Sequence, residues 1–484
     1  MKRALMFVSL VTIVWLASQA WMQDGQTARS VPAVAAARQQ PAPAVGPTPT
    51  VTGELSLAAV GDSIILRPVS VYENEPAFAG MLKIIRDATV AFTNFELSVF
   101  DTRRFQPVPQ AEYGGLWVHA TPNEARELKW VGFDMVSRAN NHTTDYGIEG
   151  MLETSEVLDE LGLVHAGSGA TLGHARAPAY FQTAIGRIAM ISTASSHSPM
   201  ARATYARPDI KGRPGLNPLR WNRQIFFEPS TFDKLKAAME SLRVGPPPTQ
   251  APPADEINLF GTRVKRSDKN RVELVADERD IKDILTQVKS ARRQADFVFV
   301  TIHAHEPGNQ VETPADFLPG FARAAIDAGA DMFIGHGPHQ LRGIEVYKGK
   351  PIFYSLGNFF FQYRTLEPQA YDVYENTTLD PFRATIADLY DAVPGWGASF
   401  REDVWWESVI ALSRFEAGRL KSIVLHPVEL GHGVPRSQSG TPRLANPELG
   451  KKIIDRLVRL SRPFGTEIQF VDGVGVIQLP TATR

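Results

Sequence analysis

The sequence contains no cysteine among its 484 residues. Disulfide bonds are therefore excluded, and the folded chain must be stabilised by its hydrophobic core, which a chain of this length can supply. The same absence removes thiolate ligands, so any metal site must use nitrogen and oxygen atoms. The formal net charge of −1 gives no excess of either sign, and nothing in it points to nucleic acid as a partner.

Two common motifs of enzymatic chemistry are also missing. The sequence has no Gly-rich phosphate loop of the Walker type and no nucleophile elbow. Residues 167–173, GSGATLG, superficially resemble a dinucleotide-binding fingerprint, but their spacing is wrong and no clear strand precedes them. We interpret this segment as a loop.

The N-terminal residues have the pattern of a secretory signal. Two basic residues precede an apolar run over 4–17, which is shorter than the roughly 20 residues that a membrane-spanning helix needs. Small residues then predict a signal peptide over 1–20, cleaved after Ala20, and the alternative is an uncleaved N-terminal anchor. We therefore expect a periplasmic or extracellular protein, with no transmembrane domain after cleavage and a membrane tether only if the signal stays.

Beyond the signal, composition and pattern divide the chain further. Residues 21–52 read as an Ala/Pro-rich linker with little to bury. The main domain is predicted over 53–430, with insertions at 197–275 and 362–405 that are poor in periodic pattern. Residues 431–484 predict a C-terminal helix followed by a β-hairpin.

Five apolar runs of strand length end in polar residues that can bind metal, and they occupy 54–62, 88–96, 133–142, 296–306 and 330–339. Helical patterns alternate with these runs over 147–163, 278–294 and 314–329. Such alternation predicts an α/β fold with largely buried strands. Ligands in these folds collect beyond the carboxyl ends of the strands, where the polar endings fall.

The side chains at these endings are two carboxylates, one amide and three imidazoles, namely Asp62, Glu96, Asn141, His303, His336 and His339. If the strands share one sheet, these side chains converge on one edge. The set suits a pair of divalent ions such as Mn, Fe or Zn. Two ions roughly 4 Å apart would share a carboxylate and hold a hydroxide for attack on a phosphoester.

Taken singly, most of these residues have an ordinary structural explanation. Asp62 would serve as a helix cap, Glu96 as a surface carboxylate and Asn141 as a turn residue. His336 and His339 form the strongest pair, because the glycines of GHGPH let the backbone aim both rings at one point. All five apolar runs end in polar residues that can bind metal, and a shared site explains this better than chance does.

These motifs resemble those of the CapA family, the poly-γ-glutamate capsule synthesis proteins of the calcineurin-like metallophosphoesterase superfamily. The resemblance runs from about residue 54 to 361, with interruptions, and rests on GD at 61–62, NFE at 94–96, NNH and DYG at 140–147, GHGPH at 335–339 and YSLGNFFF at 354–361. It implies a two-sheet β-sandwich flanked by helices, with a dinuclear metal site at the strand ends.

The resemblance also implies a role for individual residues. Asp62 would be the first-motif ligand, Glu96 would replace the usual bridging aspartate, and Asn141 would be the amide ligand. His142 would be the transition-state donor or general acid, with Asp145 as its catalytic partner. The three remaining ligands would be His303, His336 and His339.

One position departs from the superfamily pattern. The first motif normally carries a histidine two residues after the aspartate, and here that position is Ile64. One metal ion would therefore lack a ligand, unless His305 or Glu306 compensates. Two further motif residues, Asn94 and Asn358, are expected to support the ligands or to replace one of them.

Three functions are compatible with these observations. The first is an exported protein for the synthesis or export of poly-γ-glutamate, partnered by the anionic polymer or its membrane synthesis machinery. The second is a periplasmic or secreted dinuclear phosphoesterase that acts on a small substrate. The third is a non-catalytic binding module that has kept the fold, since fold alone does not establish activity.

Overall fold

The computed structural model describes residues 53–110, 113, 115–242, 253–365, 369–375, 377–392 and 402–479. The predicted signal peptide (1–20) and linker (21–52) lie outside the described residues. Within the described ranges, no helix combines the length and the apolar character needed to cross a membrane.

The strands, in chain order, are β1 (Glu54–Ile64), β2 (Val90–Phe95), β3 (Ser98–Val99), β4 (His119–Ala120), β5 (Met135–Ser137), β6 (Val164–Ala166), β7 (Ser168–Gly169), β8 (Ala179–Thr183), β9 (Gly186–Ala194), β10 (Gly215–Leu216), β11 (Trp221–Phe227), β12 (Glu256–Leu259), β13 (Thr262–Arg266), β14 (Arg271–Ala276), β15 (Phe297–His303), β16 (Met332–His336), β17 (Ile344–Tyr347), β18 (Lys350–Phe353), β19 (Asn358–Phe361), β20 (Glu407–Glu416), β21 (Arg419–Glu429), β22 (Arg443–Leu444), β23 (Glu467–Val471) and β24 (Val474–Gln478).

The helices are α1 (Pro76–Arg86), α2 (Pro122–Val131), α3 (Gly147–Glu160), α4 (Leu172–Arg176), α5 (Pro229–Leu242), α6 (Glu278–Arg292), α7 (Phe317–Asp327), α8 (Tyr371–Glu375), α9 (Ile386–Ala392) and α10 (Pro447–Ser461). Short 3₁₀ turns occupy Ser70–Tyr72, Pro199–Ala201, Tyr363–Thr365, Asp403–Trp405 and Arg462–Phe464. Local sequence sets several of these starts. Thr121 and Glu124 form a capping box before α2, and Asp277 accepts two backbone N–H groups at the start of α6.

Two large sheets form the centre of the fold. Within the described residues, the larger sheet has ten strands, in the order β23-β24-β21-β20-β1-β2-β5-β6, with β19 beside β1 and β22 beside β21. The smaller has six, in the order β17-β18-β16-β15-β9-β8. Strands β1, β2, β5 and β6 run parallel, as do β9, β15, β16 and β18.

Side chains of both sheets share one buried hydrophobic cluster. Leu57 and Phe92 of the larger sheet belong to it, together with Phe299 and Met332 of the smaller one. The rings of Phe92 and Phe299 meet edge to face, with centroids 5.3 Å apart. Other clusters join helices α1, α2 and α3 to the larger sheet and α6 and α7 to the smaller one. The central strands are therefore buried on both faces, which explains their nearly continuous apolar runs.

The prediction of a mixed α/β fold is confirmed, and so are the predicted strands and the three predicted helices that lie between them. The condition that all five polar-ended strands share one sheet is wrong. Three of them lie in the ten-stranded sheet, and the strands that end in His303 and His336 lie in the six-stranded sheet. The polar side chains at these strand ends lie together because the carboxyl ends of the parallel strands of both sheets are next to each other.

The segment 197–275 is more regular than its pattern suggests. Its described part contains a four-stranded sheet, in the order β12-β13-β11-β14, with helix α5 packed against it through Phe232. The described part of 362–405 contains the short helices α8 and α9. The domain boundaries themselves stay predictions.

Candidate metal centre

Five of the predicted site residues lie at strand ends and come together at one buried location. Asp62 lies near the end of β1, Asn94 is in β2, and Glu96 follows that strand directly. His303 and His336 end two neighbouring parallel strands of the smaller sheet, where they are register partners. All five have no solvent-exposed surface. A helix cap for Asp62 and a surface position for Glu96 are therefore excluded.

The turn after β16 adds His339 to this group. Gly337 has a φ of 116°, and its N–H donates to Asp62 Oδ2 at 3.0 Å. His339 has a φ of 58°, a left-handed conformation that is uncommon outside glycine and often found at functional sites. Its ring is buried and stacks on Trp405, with centroids 5.5 Å apart. The surrounding structure thus holds His339 in place.

The candidate ligand atoms lie close together. Nδ1 of His303 and Nδ1 of His336 lie 3.7 and 3.5 Å from Asp62 Oδ1, and Nε2 of His339 lies 3.9 Å from Glu96 Oε1. Glu96 Oε1 lies 3.5 Å from His303 Nε2. Three groups each have ligand atoms within 4.8 Å of one another: Asp62, His303 and His336; Glu96, His303 and His305; and Asp62, Glu96 and His339. These groups can hold a metal ion.

Three buried oxygen atoms of the predicted ligands accept no hydrogen bond within the described residues. They are both carboxylate oxygens of Glu96 and the amide oxygen of Asn141. The Asn141 amide is fixed, because its Nδ2 donates to the backbone carbonyl of Tyr113 at 2.8 Å. An unsatisfied buried acceptor costs about 1–3 kcal/mol, and more when it is charged. A cation at these oxygens would remove that cost, so the residues present fit a divalent metal ion.

Polar side chains around the histidines fix which ring nitrogen faces the carboxylates. Nδ1 of His305 donates to Asn309 Oδ1 at 2.7 Å, and Nε2 of His336 lies 2.7 Å from Thr301 Oγ1. Metal-binding histidines are commonly oriented by such a second hydrogen bond. The sequence reasoning missed Thr301 and Asn309, for which the only signal was their nearness to HAH at 303–305.

The two predicted supporting asparagines both contact ligands. Asn94 Nδ2 donates to Asp62 Oδ1 at 2.8 Å and lies 3.2 Å from His303 Nδ1. Asn358 Oδ1 accepts from Nδ1 of His339 at 2.9 Å, and its Nδ2 donates to the His339 carbonyl at 3.1 Å. Both amides therefore orient ligand groups.

Of the two residues suggested to compensate for Ile64, the structure brings His305 to the ligands. His305 Nε2 lies 2.8 Å from His303 Nε2. Glu306 instead accepts hydrogen bonds from Ser195 and Ser196, at 2.6 and 2.9 Å. Ile64 itself lies in the hydrophobic core, with no exposed surface.

A buried arginine that the sequence reasoning missed holds the loop that carries His305. The Arg342 guanidinium donates to backbone carbonyls of that loop, belonging to Ala304, His305, Glu306, Gly308 and Val311. Arg342 and these carbonyls are more than thirty residues apart in the sequence, so no local sequence pattern predicts the contact. Arg342 therefore fixes the backbone at the site without contacting a ligand atom.

Burial shifts the acid–base behaviour of these groups. It lowers the pKa of His303 well below the ordinary value and lowers the pKa of His305 to about 3, while adjacent positive rings act in the same direction. Burial also raises the pKa of Glu96 well above its usual value, and the charge of Asp62 adds to this. Burial opposes ionisation of Asp62, but His336 and His339 outweigh it and lower the pKa of Asp62 to about 2.

These shifts predict how many protons leave when metal binds. Burial lowers the pKa values of His303, His305 and His339 below the ordinary 6.5, so these rings are mostly neutral near pH 7 and release no proton. Burial raises the pKa of Glu96, which favours its protonated form in the metal-free site, and metal binding would displace that proton. We expect uptake of Mn²⁺ near neutral pH to release about one proton per protein, so that affinity falls as the pH is lowered.

Calorimetric titration in buffers of different ionisation enthalpy measures this number. Glu96→Gln is the matched variant, since its side chain has no proton to lose, and its metal uptake should release none. Release of two or more protons by the wild type would show that histidines are charged in the metal-free site and would contradict the expectation.

His142 and Asp145 form a buried pair beside the ligands. His142 Nδ1 donates to Asp145 Oδ2 at 2.8 Å, and the same oxygen accepts the Val118 N–H at 2.7 Å. Burial raises the pKa of Asp145, while the neighbouring His142 lowers it. His142 belongs to none of the three ligand groups. Because Nδ1 donates to Asp145, any proton transfer from His142 to a molecule bound in the site would use Nε2.

A cavity of about 770 Å³ borders this centre, within the range of small-molecule sites. Asn141, His142, His305 and His339 line one part of it. Strands β11 and β14 of the four-stranded sheet, with aromatic residues that include Tyr363 and Trp405, line another part. Segments from both predicted insertions therefore border the space next to the candidate ligands.

A family model described as "Bacterial capsule synthesis protein PGA_cap" matches residues 51–363. The chain belongs to the PGA_cap family. The match includes all six predicted ligands and the His142–Asp145 pair, and it confirms the predicted membership in the CapA-type capsule synthesis proteins.

Individual PGA_cap relatives and solved structures show different degrees of similarity. "Uncharacterized protein y4sH" of Sinorhizobium fredii (strain NBRC 101917 / NGR234) is 42% identical over 436 residues, which are 88% of this chain and 93% of that protein. "PGA biosynthesis protein CapA" of Bacillus subtilis (strain 168) is 27% identical over 352 residues, or 70% and 73% of the two chains. The solved structure of Haemophilus influenzae NAD nucleotidase is 12% identical, covers 84% of this chain and 56% of that one, and superposes with a TM-score of 0.30.

Proposed function

We propose that this PGA_cap chain is an exported, metal-dependent protein that acts in the synthesis or export of poly-γ-glutamate or a similar anionic capsule polymer. The family match and the relative named for PGA biosynthesis support the capsule role. The observation that carries metal dependence is the buried Glu96 carboxylate, which accepts no hydrogen bond within the described residues and faces three imidazole ligands. The polymer or its membrane synthesis machinery is the proposed partner.

The two large sheets are proposed to form the two-sheet sandwich of the calcineurin-like metallophosphoesterases. Their shared hydrophobic cluster and the helices packed on their other faces support this assignment. In that arrangement the carboxyl ends of β1, β2, β15 and β16 supply the ligands from both sheets.

Two divalent ions, of Mn, Fe or Zn, fit the number of donors better than one. The first would be held by Asp62, His303 and His336, and the second by Glu96, His305, His339 and Asn141. When bound, such ions activate water at neutral pH and polarise a phosphoester oxygen. The chain itself positions Asn141 through Tyr113 and orients the His142 ring beside the cavity through Asp145.

Phosphoester hydrolysis is the second candidate function, and the His142–Asp145 pair favours it. A histidine that is oriented by a buried carboxylate and borders a cavity is suited to protonate a leaving oxygen. A purely binding module would not account for this pair or for the unpaired Glu96. Metal analysis of the purified protein, combined with a screen of phosphoesters, tests both properties, and absence of bound metal after Mn²⁺, Fe²⁺ and Zn²⁺ loading would overturn the proposal.

Export is part of the proposed function, and the N-terminal sequence is the observation that supports it. The charged start, the short apolar run and the small residues at 18 and 20 support cleavage after Ala20. We expect N-terminal sequencing of the protein from the cell envelope or medium to begin at Trp21. A mature protein that retains Met1 would instead be anchored by an uncleaved segment.

A further inference from the structure

One positively charged side chain in the cavity wall has no partner among the residues that the structure describes. Strand β11 lines the cavity with alternate residues, Trp221, Arg223 and Ile225, as expected for one face of a strand. The Arg223 guanidinium has neither a hydrogen bond nor an ion pair within the described part of the chain. Its charge is therefore available to a ligand in the cavity.

The acidic residues that line the same cavity are already engaged elsewhere. Glu306 accepts hydrogen bonds from Ser195 and Ser196. Asp316 Oδ2 accepts the backbone N–H of Leu274 at 3.0 Å. Neither carboxylate forms an ion pair with Arg223, so no acidic residue that lines the cavity balances the charge of Arg223.

The remaining wall favours an uncharged organic group. Ile225, Val272 and Leu274 contribute apolar surface from the four-stranded sheet, and Trp405 and Tyr363 contribute aromatic surface near His339. Such surfaces cover carbon chains or rings and provide no positive charge for an anionic group. The cavity thus combines three features: the candidate metal centre, where bound cations would attract an anionic group, an apolar wall, and a separate arginine.

We infer that Arg223 determines specificity by binding a second anionic group of the substrate, a carboxylate or a phosphate, while the first anionic group meets the metal ligands. The substrate class is a molecule with two anionic groups joined by an uncharged chain or ring. Arginine suits this task, because its planar guanidinium pairs with carboxylate or phosphate through two hydrogen bonds. This inference rests on the proposed function, because it takes the metal ligands as the place of the first group.

Equilibrium binding of a phosphonate series tests the inference without requiring turnover. The Mn²⁺-loaded protein is titrated calorimetrically with alkylphosphonates of increasing length that end in a methyl group, a carboxylate or a second phosphonate. At one or more lengths, an anionic end should strengthen binding about tenfold or more over the methyl end. Arg223→Gln should lose this preference, with unchanged metal content and unchanged affinity for the methyl-ended compound.

Arg419→Gln is the matched control. Arg419 is an exposed strand arginine beside the Ala417–Gly418 turn, at the end of the larger sheet away from Asp62, and its substitution should keep the preference. Equal affinities of methyl-ended and anion-ended compounds at every length would overturn the inference, and so would a preference that Arg223→Gln retains. Metal content and phosphoester turnover of the same samples report separately on the proposed function, so a preference without turnover would support Arg223 and count against hydrolysis alone.

Discussion

Asp62→Asn is expected to lower metal affinity by about 100-fold or more and to abolish the rise of Tm that added metal produces. Asp62 belongs to two of the three ligand groups and lies against His303, His336 and His339. Asparagine keeps the size of the side chain and one acceptor oxygen but removes the negative charge. Metal content by mass spectrometry and thermal unfolding with and without Mn²⁺ measure the effect.

The metal-free variant should unfold at a somewhat lower temperature than the metal-free wild type, because the two Asp62 oxygens accept hydrogen bonds from Asn94 and Gly337 and asparagine keeps only one acceptor. Asp296→Asn is the matched control. Asp296 also accepts a backbone N–H, from Arg187, but it precedes β15 at the amino end of the smaller sheet. Wild-type metal content in Asp62→Asn would contradict the assignment of Asp62 as a ligand, whereas loss in both variants would indicate a general defect.

Much of the candidate site could be predicted because the strands that carry it are buried on both faces. Such strands appear in the sequence as uninterrupted apolar runs, so the first polar residue after each run marks a strand end. Asp62, Glu96, His303 and His336 were identified in this way, and their complete burial excludes the ordinary explanations of a cap or a surface position. Chain connectivity makes the carboxyl ends of parallel strands the natural meeting point.

The division of these strands between two sheets could not be predicted in the same way. Hydrophobic pattern reports burial but not the neighbour, and β15 pairs with β9 and β16 through contacts that are distant in sequence. The four-stranded sheet was missed for a different reason. Its strands are short, and charged residues alternate with the apolar ones, so a pattern such as Val272, Leu274 and Ala276 in β14 is easily overlooked.

The supporting residues depend most strongly on tertiary structure. Arg342 holds the His305 loop from a distant part of the chain, and Asn309 orients the His305 ring. Sequence alone places His339 on a glycine-containing turn, where alanine would be expected to cost little stability. Its buried ring, its contact with Trp405 and its bond to Asn358 instead predict that His339→Ala loses both metal and some stability.

His142→Gln is expected to lower phosphoester turnover by about 100-fold or more while leaving metal content unchanged. The expectation follows from position, because His142 borders the cavity but belongs to none of the ligand groups. Glutamine keeps a polar side chain of similar length but cannot exchange a proton near neutral pH. Asp145→Asn should give a smaller loss, since an amide oxygen can still accept from Val118 and His142 but cannot stabilise a charged imidazole.

A second histidine–carboxylate pair provides the control for this experiment. His165 Nε2 lies 3.2 Å from Asp159 Oδ1 on an edge strand that does not line the cavity, so His165→Gln should leave turnover and metal content unchanged. Loss of metal in His142→Gln would make His142 a ligand. Turnover within about twofold of the wild type, with full metal content, would exclude it as the proton donor and assign protonation of the leaving group to water. Turnover and metal content together therefore separate proton transfer by His142 from metal binding by the neighbouring histidines.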